Sequence, residues 1–504
     1  MEQLKNTLKD YPISSSIILA MGGVGVVFLK NEIVKQIQKN KDQNKKNKIK
    51  AGSNYNSVSK KNDKIVFDST IPLEDHQPGD QIYKVCITGG PCGGKTSGLT
   101  YLQEKLQNLG YNVLNVPECA TLVANAGGML NMGNYTDEQQ IQFQIQIMKT
   151  QMQLEQTFMK LARLSNQPTV VLCDRGLMDG SVYMSNRLWE EMLQQEYFIK
   201  NNIDETVIRD RQYDAVIHLV TAADGAEEYY NLENNEARSE DMVQALQLDR
   251  KLQLAWLGHP SYKIIDNHNK NFQQKLEMLY ETVIGICGVK TFKRNQTKRK
   301  YLIDTKGDYI QVFIQYDFNI YKTLLQIEDL FAQIPNDIKQ QKFIIEDTFV
   351  TYDKKQDNTA LQIKIRKRQQ YQGGEIYIWS KTEFTKQGKL TLKRMMNQKE
   401  YIHLLGRIDE NRHTVNKIRT QFIYEGNQFQ IDTYVNIKEG FSILTALCDK
   451  SNQELTLPEF LNIQREITNE PGYKSKYLSK KDWYIPQPDE RIVNSRKKSQ
   501  DYNF

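Results

Sequence analysis

The sequence predicts a parallel α/β sheet over residues 81–290 and a sheet-rich α+β domain over 296–478, preceded by a single transmembrane helix. Three observations carry this prediction. Short apolar runs at 82–88, 112–116, 169–173, 215–220 and 263–265 alternate with helical stretches, the pattern of a parallel sheet covered on both faces. After a basic joint, KTFKRNQTKRK, the patterning changes to period two at 361–366, 375–383, 417–423 and 429–434. An uncharged run, ISSSIILAMGGVGVVFL, occupies 13–29. A chain of 504 residues also exceeds what one compact core accommodates.

At the N-terminus, Lys30, Lys35 and Lys39 follow the apolar run, whereas a cleaved signal peptide carries its charge before it. Residues 1–30 are therefore expected to be an uncleaved anchor, with the bulk of the chain on the cytosolic or mitochondrial-matrix side. Residues 31–80 are rich in Lys, Asn, Gln and Ser and cannot bury enough surface to offset chain entropy, so they read as a tether. Eleven lysines against Glu32, Asp42 and Asp63 between Lys30 and Lys64 exceed the +6 of the whole chain. The rest is slightly acidic, which excludes a uniformly basic nucleic-acid-binding body. Cys86, Cys92, Cys119, Cys173, Cys287 and Cys448 form no CxxC pair, and the six histidines no HExxH group, so neither a disulfide scaffold nor a zinc centre is expected.

Strand 82–88 runs directly into Gly89-Gly90-Pro91-Cys92-Gly93-Gly94-Lys95-Thr96-Ser97. This satisfies G-x-x-x-x-G-K-[ST] between a strand and a helix, where backbone N–H groups and the helix N-terminus surround an anion. Lys95 is expected to reach the terminal phosphates of ATP or GTP, and the Thr96 hydroxyl to help hold Mg²⁺. The next strands end at Glu118 and at Asp174-Arg175, on the edge where ligands of parallel sheets collect. Asp174 is a candidate for the Mg²⁺ shell and Arg175 for a phosphate contact. Glu118 is a candidate general base or outer Mg²⁺ ligand. Arg238 is placed to close a lid over phosphates, or else it is a solvated surface arginine. His259 reads as structural. No Asn-Lys-x-Asp segment follows a strand, so a Ras-type guanine pocket is not visible; the turn at Asp266-Asn267 is a candidate lining for the base. A capping box at Thr136 opens the longest helix, to about residue 164, and a last helix spans about 272–284.

In the second domain, helices are expected near 321–334 and 397–405. Alternation places Lys364, Arg366 and Arg368 on one face of a strand, and Lys417 and Arg419 on one face of another, with Asp432 in a neighbour. Like charges in such rows call for a compensating anion or acid. The tail 479–504 is polar.

The set GGPCGGKT, VPECAT, VVLCDRG, YDAVIHLVTAADGAEEYY, NNEARSE and LAWLGHPSYKIIDN resembles the NadR/kinase-like, AAA-type P-loop family. More particularly, it resembles the TRPL translocation-defect proteins, which join that module to a CYTH-like domain. The likeness runs from about Tyr83 to Tyr477. It implies a sheet like that of nucleoside and nucleotide kinases, a Walker-B-like Asp174, a substrate-side Glu118 and a CYTH-like β-barrel lined by Lys364, Arg366, Arg368, Lys417 and Arg419. It further implies guanine-nucleotide binding and recognition of a phosphoinositide or phosphatidic acid in membrane-protein trafficking. The chain departs from the CYTH pattern: the opening E-x-E-x-K strand is replaced by Lys300-Tyr301-Leu302-Ile303-Asp304, and the late acidic strand by Leu444-Thr445-Ala446-Leu447. Two-metal hydrolysis of triphosphates needs clustered carboxylates, so this domain is expected to bind rather than cleave.

Three functions follow as expectations. The first is a membrane-anchored adaptor that binds Mg²⁺ with GTP or ATP, and an anionic lipid head group. The second is a kinase acting on a nucleoside-like small molecule. The third is an accessory subunit of a membrane complex, with mitochondria among the candidate locations, that retains a nucleotide to stabilise its fold.

Overall fold

The computed structural model describes residues 81–128, 132–230, 241–289, 296–304, 334–351, 360–370, 373–385, 388–437, 441–449 and 455–484. The expected anchor, the tether, the segment bearing Arg238 and residues 485–504 lie outside the described residues, as does nearly all of the helix expected at 321–334. Among the described residues no helix is long and apolar enough to cross a membrane.

The first sheet is parallel throughout and comprises β1 (Ile82–Gly89), β2 (Asn112–Val116), β3 (Thr169–Asp174), β4 (Ala215–Leu219) and β5 (Tyr262–Ile265), in the order β2-β3-β1-β4-β5. Its strands are apolar because both faces are covered. Val85, Ile87, Val170 and Leu172 pack toward helices α1 (Lys95–Asn108) and α8 (Phe272–Ile286). Cys86, Val171, Cys173 and Val216 pack on the opposite side, with Ile141, Ile145 and Met148 of α3 (Asp137–Arg163). Between these run α2 (Cys119–Asn125), α4 (Asn186–Leu193), α5 (Glu196–Lys200), α6 (Glu205–Asp210) and α7 (Met242–Ala255). The capping box of α3 forms as expected: Thr136 Oγ1 accepts from the Gln139 N–H at 3.3 Å, and Gln139 Oε1 accepts from the Thr136 N–H at 2.9 Å. The crossover from β1 leads to β2 on one side, and that from β3 passes β1 to β4 on the other. The chain therefore switches direction around β1, and a crevice opens at the carboxyl ends of the strands.

The second sheet is antiparallel, with nine strands: β6 (Gln296–Ile303), β7 (Gln340–Val350), β8 (Ala360–Gln370), β9 (Glu375–Thr385), β10 (Gly388–Met396), β11 (Val415–Tyr424), β12 (Asn427–Tyr434), β13 (Phe441–Asp449) and β14 (Ile463–Glu466). Helix α9 (Gln398–Leu405) follows β10, and a single turn, α10 (Ser475–Leu478), is the last helical element described. The order is β10-β9-β8-β7-β11-β12-β13-β6-β14, and no ladder joins β10 to β14 among the described residues. Where the resemblance implies a CYTH-like β-barrel, the described residues form a nine-stranded antiparallel sheet. One face is apolar, with Phe422, Phe429, Ile431, Leu444, Ala446, Tyr301 and Ile303 in one cluster. On the same strands, period two places Lys298, Lys417, Arg419 and Asp432 on the opposite face.

Both sheets belong to one compact unit. Arg368 on β8 reaches the parallel-sheet domain: one guanidinium nitrogen donates to the Gly258 carbonyl and another lies 2.7 Å from Asp210 Oδ2, with the plane 4.3 Å from the Phe343 ring centroid. Arg209, fully buried, is held by Asp210 at 2.8 Å and donates to Gln370 Oε1 at 2.6 Å. Burial alone would raise the Asp210 pKa; Arg209 and Arg368 outweigh it and hold the carboxyl below its usual range. Gly258 is in the left-handed region (φ 106°), and a Cβ there would fall 2.7 Å from the Phe343 ring.

Removing one partner of a buried ion pair costs about 3–5 kcal/mol. Arg368→Met should lower the denaturation midpoint by a corresponding amount and expose the junction at 258–263 to protease. Lys200→Ala, which removes the exposed pair with Glu196, should change stability by less than about 1 kcal/mol.

Candidate nucleotide site

The loop between β1 and α1 can form only with glycines where they stand. A Cβ on Gly89 would lie 2.1 Å from the Leu219 carbonyl oxygen, and one on Gly93 would lie 2.6 Å from the same atom. The loop is thus pressed against the end of β4, and its backbone turns inward. Gly94 is left-handed (φ 85°), and so, without being a glycine, is Cys92 (φ 54°). Gly94 hands over to α1, whose first turn presents Thr96 and Ser97 to solvent at the crevice.

Lys95 Nζ donates to the carbonyls of Gly89 at 3.0 Å and Gly90 at 2.9 Å, so the cation lies over the loop. Burial and then the neighbouring Arg175 push its pKa down to about 7, against the pull of Asp174 and Glu118. Arg175 adopts φ 74° and ties three strand ends together. Its Nη1 donates to the Gly89 carbonyl at 2.8 Å, its Nε to Glu118 Oε1 at 3.2 Å, and its N–H to the Ile87 carbonyl at 3.0 Å. Glu118 also accepts from the Thr121 hydroxyl at 2.6 Å. Burial raises its pKa, but Arg175, Thr121 and Lys95 prevail and keep it ionised below the usual range. Asp174 is shifted the other way, by burial and by the Glu118 charge, and its Oδ1 is buried without a hydrogen-bond partner. The two carboxylates are therefore set apart in proton affinity.

The structure brings Lys95, Asp174, Arg175 and Glu118 together. Arg238 lies outside the described residues. His259 is structural: its Nε2 meets the Tyr213 carbonyl at 3.0 Å, and burial lowers its pKa to about 4. Asn267 is buried and spans the loop after β4, donating to the carbonyls of Thr221 and Asp224, each at 2.7 Å, so its side chain is committed to structure.

Two acids were not legible in advance. Asp249 on α7 accepts from the N–H groups of Gly90 (2.7 Å) and Thr221 (3.1 Å) and from Gln253 (2.8 Å), and meets His218 Nε2 at 3.0 Å. Asp179 accepts from the Thr88 hydroxyl at 2.8 Å, the Trp256 N–H at 2.6 Å and the Gly176 N–H at 3.1 Å. Position three residues after Gly176 was the only available hint for Asp179. Asp249 sits mid-helix with no local signal at all.

For Mg²⁺, the orphaned, buried Asp174 Oδ1 and the exposed Thr96 fit an ion that also takes phosphate oxygens and water, since Mg²⁺ keeps few protein ligands. No group of three or more His, Cys, Asp or Glu side chains forms a metal cage among the described residues.

The second sheet assembles the other charged set. Asp347, fully buried on β7, accepts from Arg366 at 2.7 and 2.9 Å and pairs with Lys364 at 3.1 Å and Lys417 at 3.4 Å. Asp432 on β12 takes Arg419 at 2.7 and 2.9 Å and Lys417 at 3.0 Å. Arg368 parts from this set, because its guanidinium is committed to Asp210 and Gly258. Pairing registers put Lys298 on β6 and Lys393 on β10 on the same face. Although Lys393 keeps solvent contact, partial desolvation and then Arg366, Lys263 and Arg419 lower its pKa to about 7. Lys364 is lowered to about 7 by burial and by Arg366.

A phosphate chain beside Lys95 stabilises its ammonium form. Binding of a nucleotide at pH 8 should therefore take up close to one proton, and affinity should fall as pH rises above about 7. Calorimetric titrations in buffers of differing ionisation enthalpy measure the uptake, and Lys95→Ala should abolish it.

Residues 84–275 match the family model for an AAA domain, so this part of the chain is an AAA-type P-loop domain. Two solved structures of one protein, NE1496, described as an inorganic triphosphatase and as a hypothetical protein, align over 39% and 38% of this chain and 99% of theirs. Each does so at 15% identity and a TM-score of 0.23, which is too low to extend to fold or chemistry. No curated protein sequence matches the chain.

Proposed function

We propose that the chain is a Mg²⁺-dependent nucleotide-binding protein, taking ATP or GTP at the phosphate loop, whose second sheet holds a phosphate-bearing anion such as a phosphoinositide or phosphatidic acid head group. The observation that carries the first half is the hydrogen-bonded group of Lys95, Arg175 and Glu118 beside Asp174 at the ends of β1, β2 and β3. Lys95 and the loop N–H groups neutralise the terminal phosphates, and Arg175 is within reach of charge that develops there. Thr96 and Asp174 would hold Mg²⁺, which supplies charge neutralisation between phosphate oxygens. The excess of cations over the two acids on the second sheet supports the second half. An N-terminal anchor at 1–30 and an adaptor role in trafficking complete this reading.

A phosphotransferase is the second reading. It is favoured by Glu118, an ionised carboxylate at the crevice edge that could accept a proton from an acceptor hydroxyl. An accessory subunit that only retains a nucleotide is the third.

The test is calorimetry of MgATP and MgGTP on the purified full chain. The lead reading expects binding that Lys95→Ala weakens at least a hundredfold. Acceptor-dependent release of nucleoside diphosphate, lost in Glu118→Gln while binding is kept, would establish the phosphotransferase. Binding of neither nucleotide would overturn both. On the second sheet, Arg366→Ala should weaken inositol polyphosphate binding at least tenfold without altering nucleotide affinity.

A further inference from the structure

The ends of β2 and β3 carry Glu118, Asp174 and Arg175, on one side of β1 in the sheet order; β4 and β5 lie on the other. A phosphate chain whose terminal groups meet Lys95 and Arg175 must leave the loop toward β4 and β5, and its nucleoside would come to rest there. That side is built as a rigid floor. The Thr221 hydroxyl donates to the Pro91 carbonyl, Asn267 bridges the loops after β4 and β5, and Lys275 Nζ donates to the Val220 carbonyl at 2.7 Å.

One large apolar side chain stands open beside this floor. Phe272 begins α8 on the stripe that continues through Leu276, Leu279 and Val283. The last three are buried, but Phe272 is 49% exposed. One ring edge rests on the phosphate loop: a Cβ on Gly94 would lie 2.7 Å from Phe272 Cε2. The helix is anchored at that point by Asn271, whose Oδ1 accepts from the Gln274 N–H at 2.9 Å, so the ring is carried on a fixed element. An aromatic ring edge-on to a phosphate loop, with about half its surface open to solvent, offers the flat surface on which a purine stacks.

We infer that Phe272 is the stacking platform for the base of the nucleotide bound at Gly89–Ser97. This rests on the nucleotide-binding reading and adds a nucleobase-selective contact to it. The phosphates supply affinity for any polyphosphate through the loop, and the ring adds affinity only for ligands that carry a base.

The experiment compares MgATP, MgGTP and Mg-tripolyphosphate by calorimetry on the full chain, with Phe272→Leu, Phe272→Ala, Phe272→Trp and Lys95→Ala. Leucine keeps an apolar contact with Gly94 but has no π face. Phe272→Leu and Phe272→Ala should weaken both nucleotides about tenfold or more and leave tripolyphosphate within twofold, and Phe272→Trp should restore the nucleotides. Equal losses for nucleotides and tripolyphosphate in Phe272→Leu would overturn the inference, since the ring would then only support the loop. Unchanged nucleotide affinity in both truncations would overturn it as well. The parent reading fails separately, by a wild-type chain that binds tripolyphosphate no differently in Lys95→Ala and binds no nucleotide at all.

Discussion

One buried carboxylate determines how the phosphate loop stands. Asp249, 2% exposed, is a four-way acceptor: it takes the N–H groups of Gly90 and Thr221, the Gln253 amide and the His218 ring. Burial opposes its charge, and His218, Gln253 and the Gly90 N–H together keep it ionised below the usual range. A fixed negative charge behind the loop orients Gly90 so that its carbonyl remains available to Lys95. The same carboxylate joins the loop to β4 through Thr221, and Thr221 in turn holds the Pro91 carbonyl. Loop, strand and helix α7 are thereby one hydrogen-bonded body, which a site for a multiply charged ligand requires if it is not to reorganise on binding.

Helix α7 also connects this body to the second sheet. Three residues beyond its last turn, Gly258 offers its carbonyl to Arg368, while the backbone approaches Phe343 closely enough that no side chain fits. Trp256, fully buried, lies between, donating to Asp179 and packing edge-on to Tyr213. The junction is therefore as polar and as buried as an active site, but its charges are matched: Asp210 and Glu205 answer Arg209 and Arg368. Neutral pairing of this kind specifies one docking geometry more than it adds net stability.

The parallel sheet was legible because strands buried on both faces are continuous apolar runs, and because a phosphate loop needs its glycines at fixed spacing. The second sheet was only partly so. β6 reads in sequence as a basic linker, since Lys298 and Lys300 face the polar side of the sheet, and only Tyr301 and Ile303 signal the core. β7 carries Asp347 on the same face as the buried Phe343, Ile345 and Phe349, a position that makes sense only once Arg366, Lys364 and Lys417 surround it. Arg368 shows the limit of alternation most plainly. Period two correctly gives the face on which it lies, but what that face meets is a long-range fact, supplied by Asp210 more than 150 residues earlier in the chain.

The two charged sites differ in how their cations are held, and that difference bears on what each can recognise. At the phosphate loop the cations sit on strand ends and a helix start, where Lys95 can exchange loop carbonyls for phosphate oxygens with a change of rotamer. On the second sheet the cations sit on a ladder. Lys364 and Arg366 are alternate residues of β8, about 7 Å apart along the strand, and Lys417 and Arg419 repeat that spacing on β11, two strands and about 10 Å away. Asp347 lies between the two rows and holds three of the four in place. A grid of that size is wider than one phosphate group. Under the proposed reading its ligand carries more than one anionic group, or one anionic group on a body broad enough to span two strands, because four cations stand against only two acids and a lone phosphate covers only part of the grid.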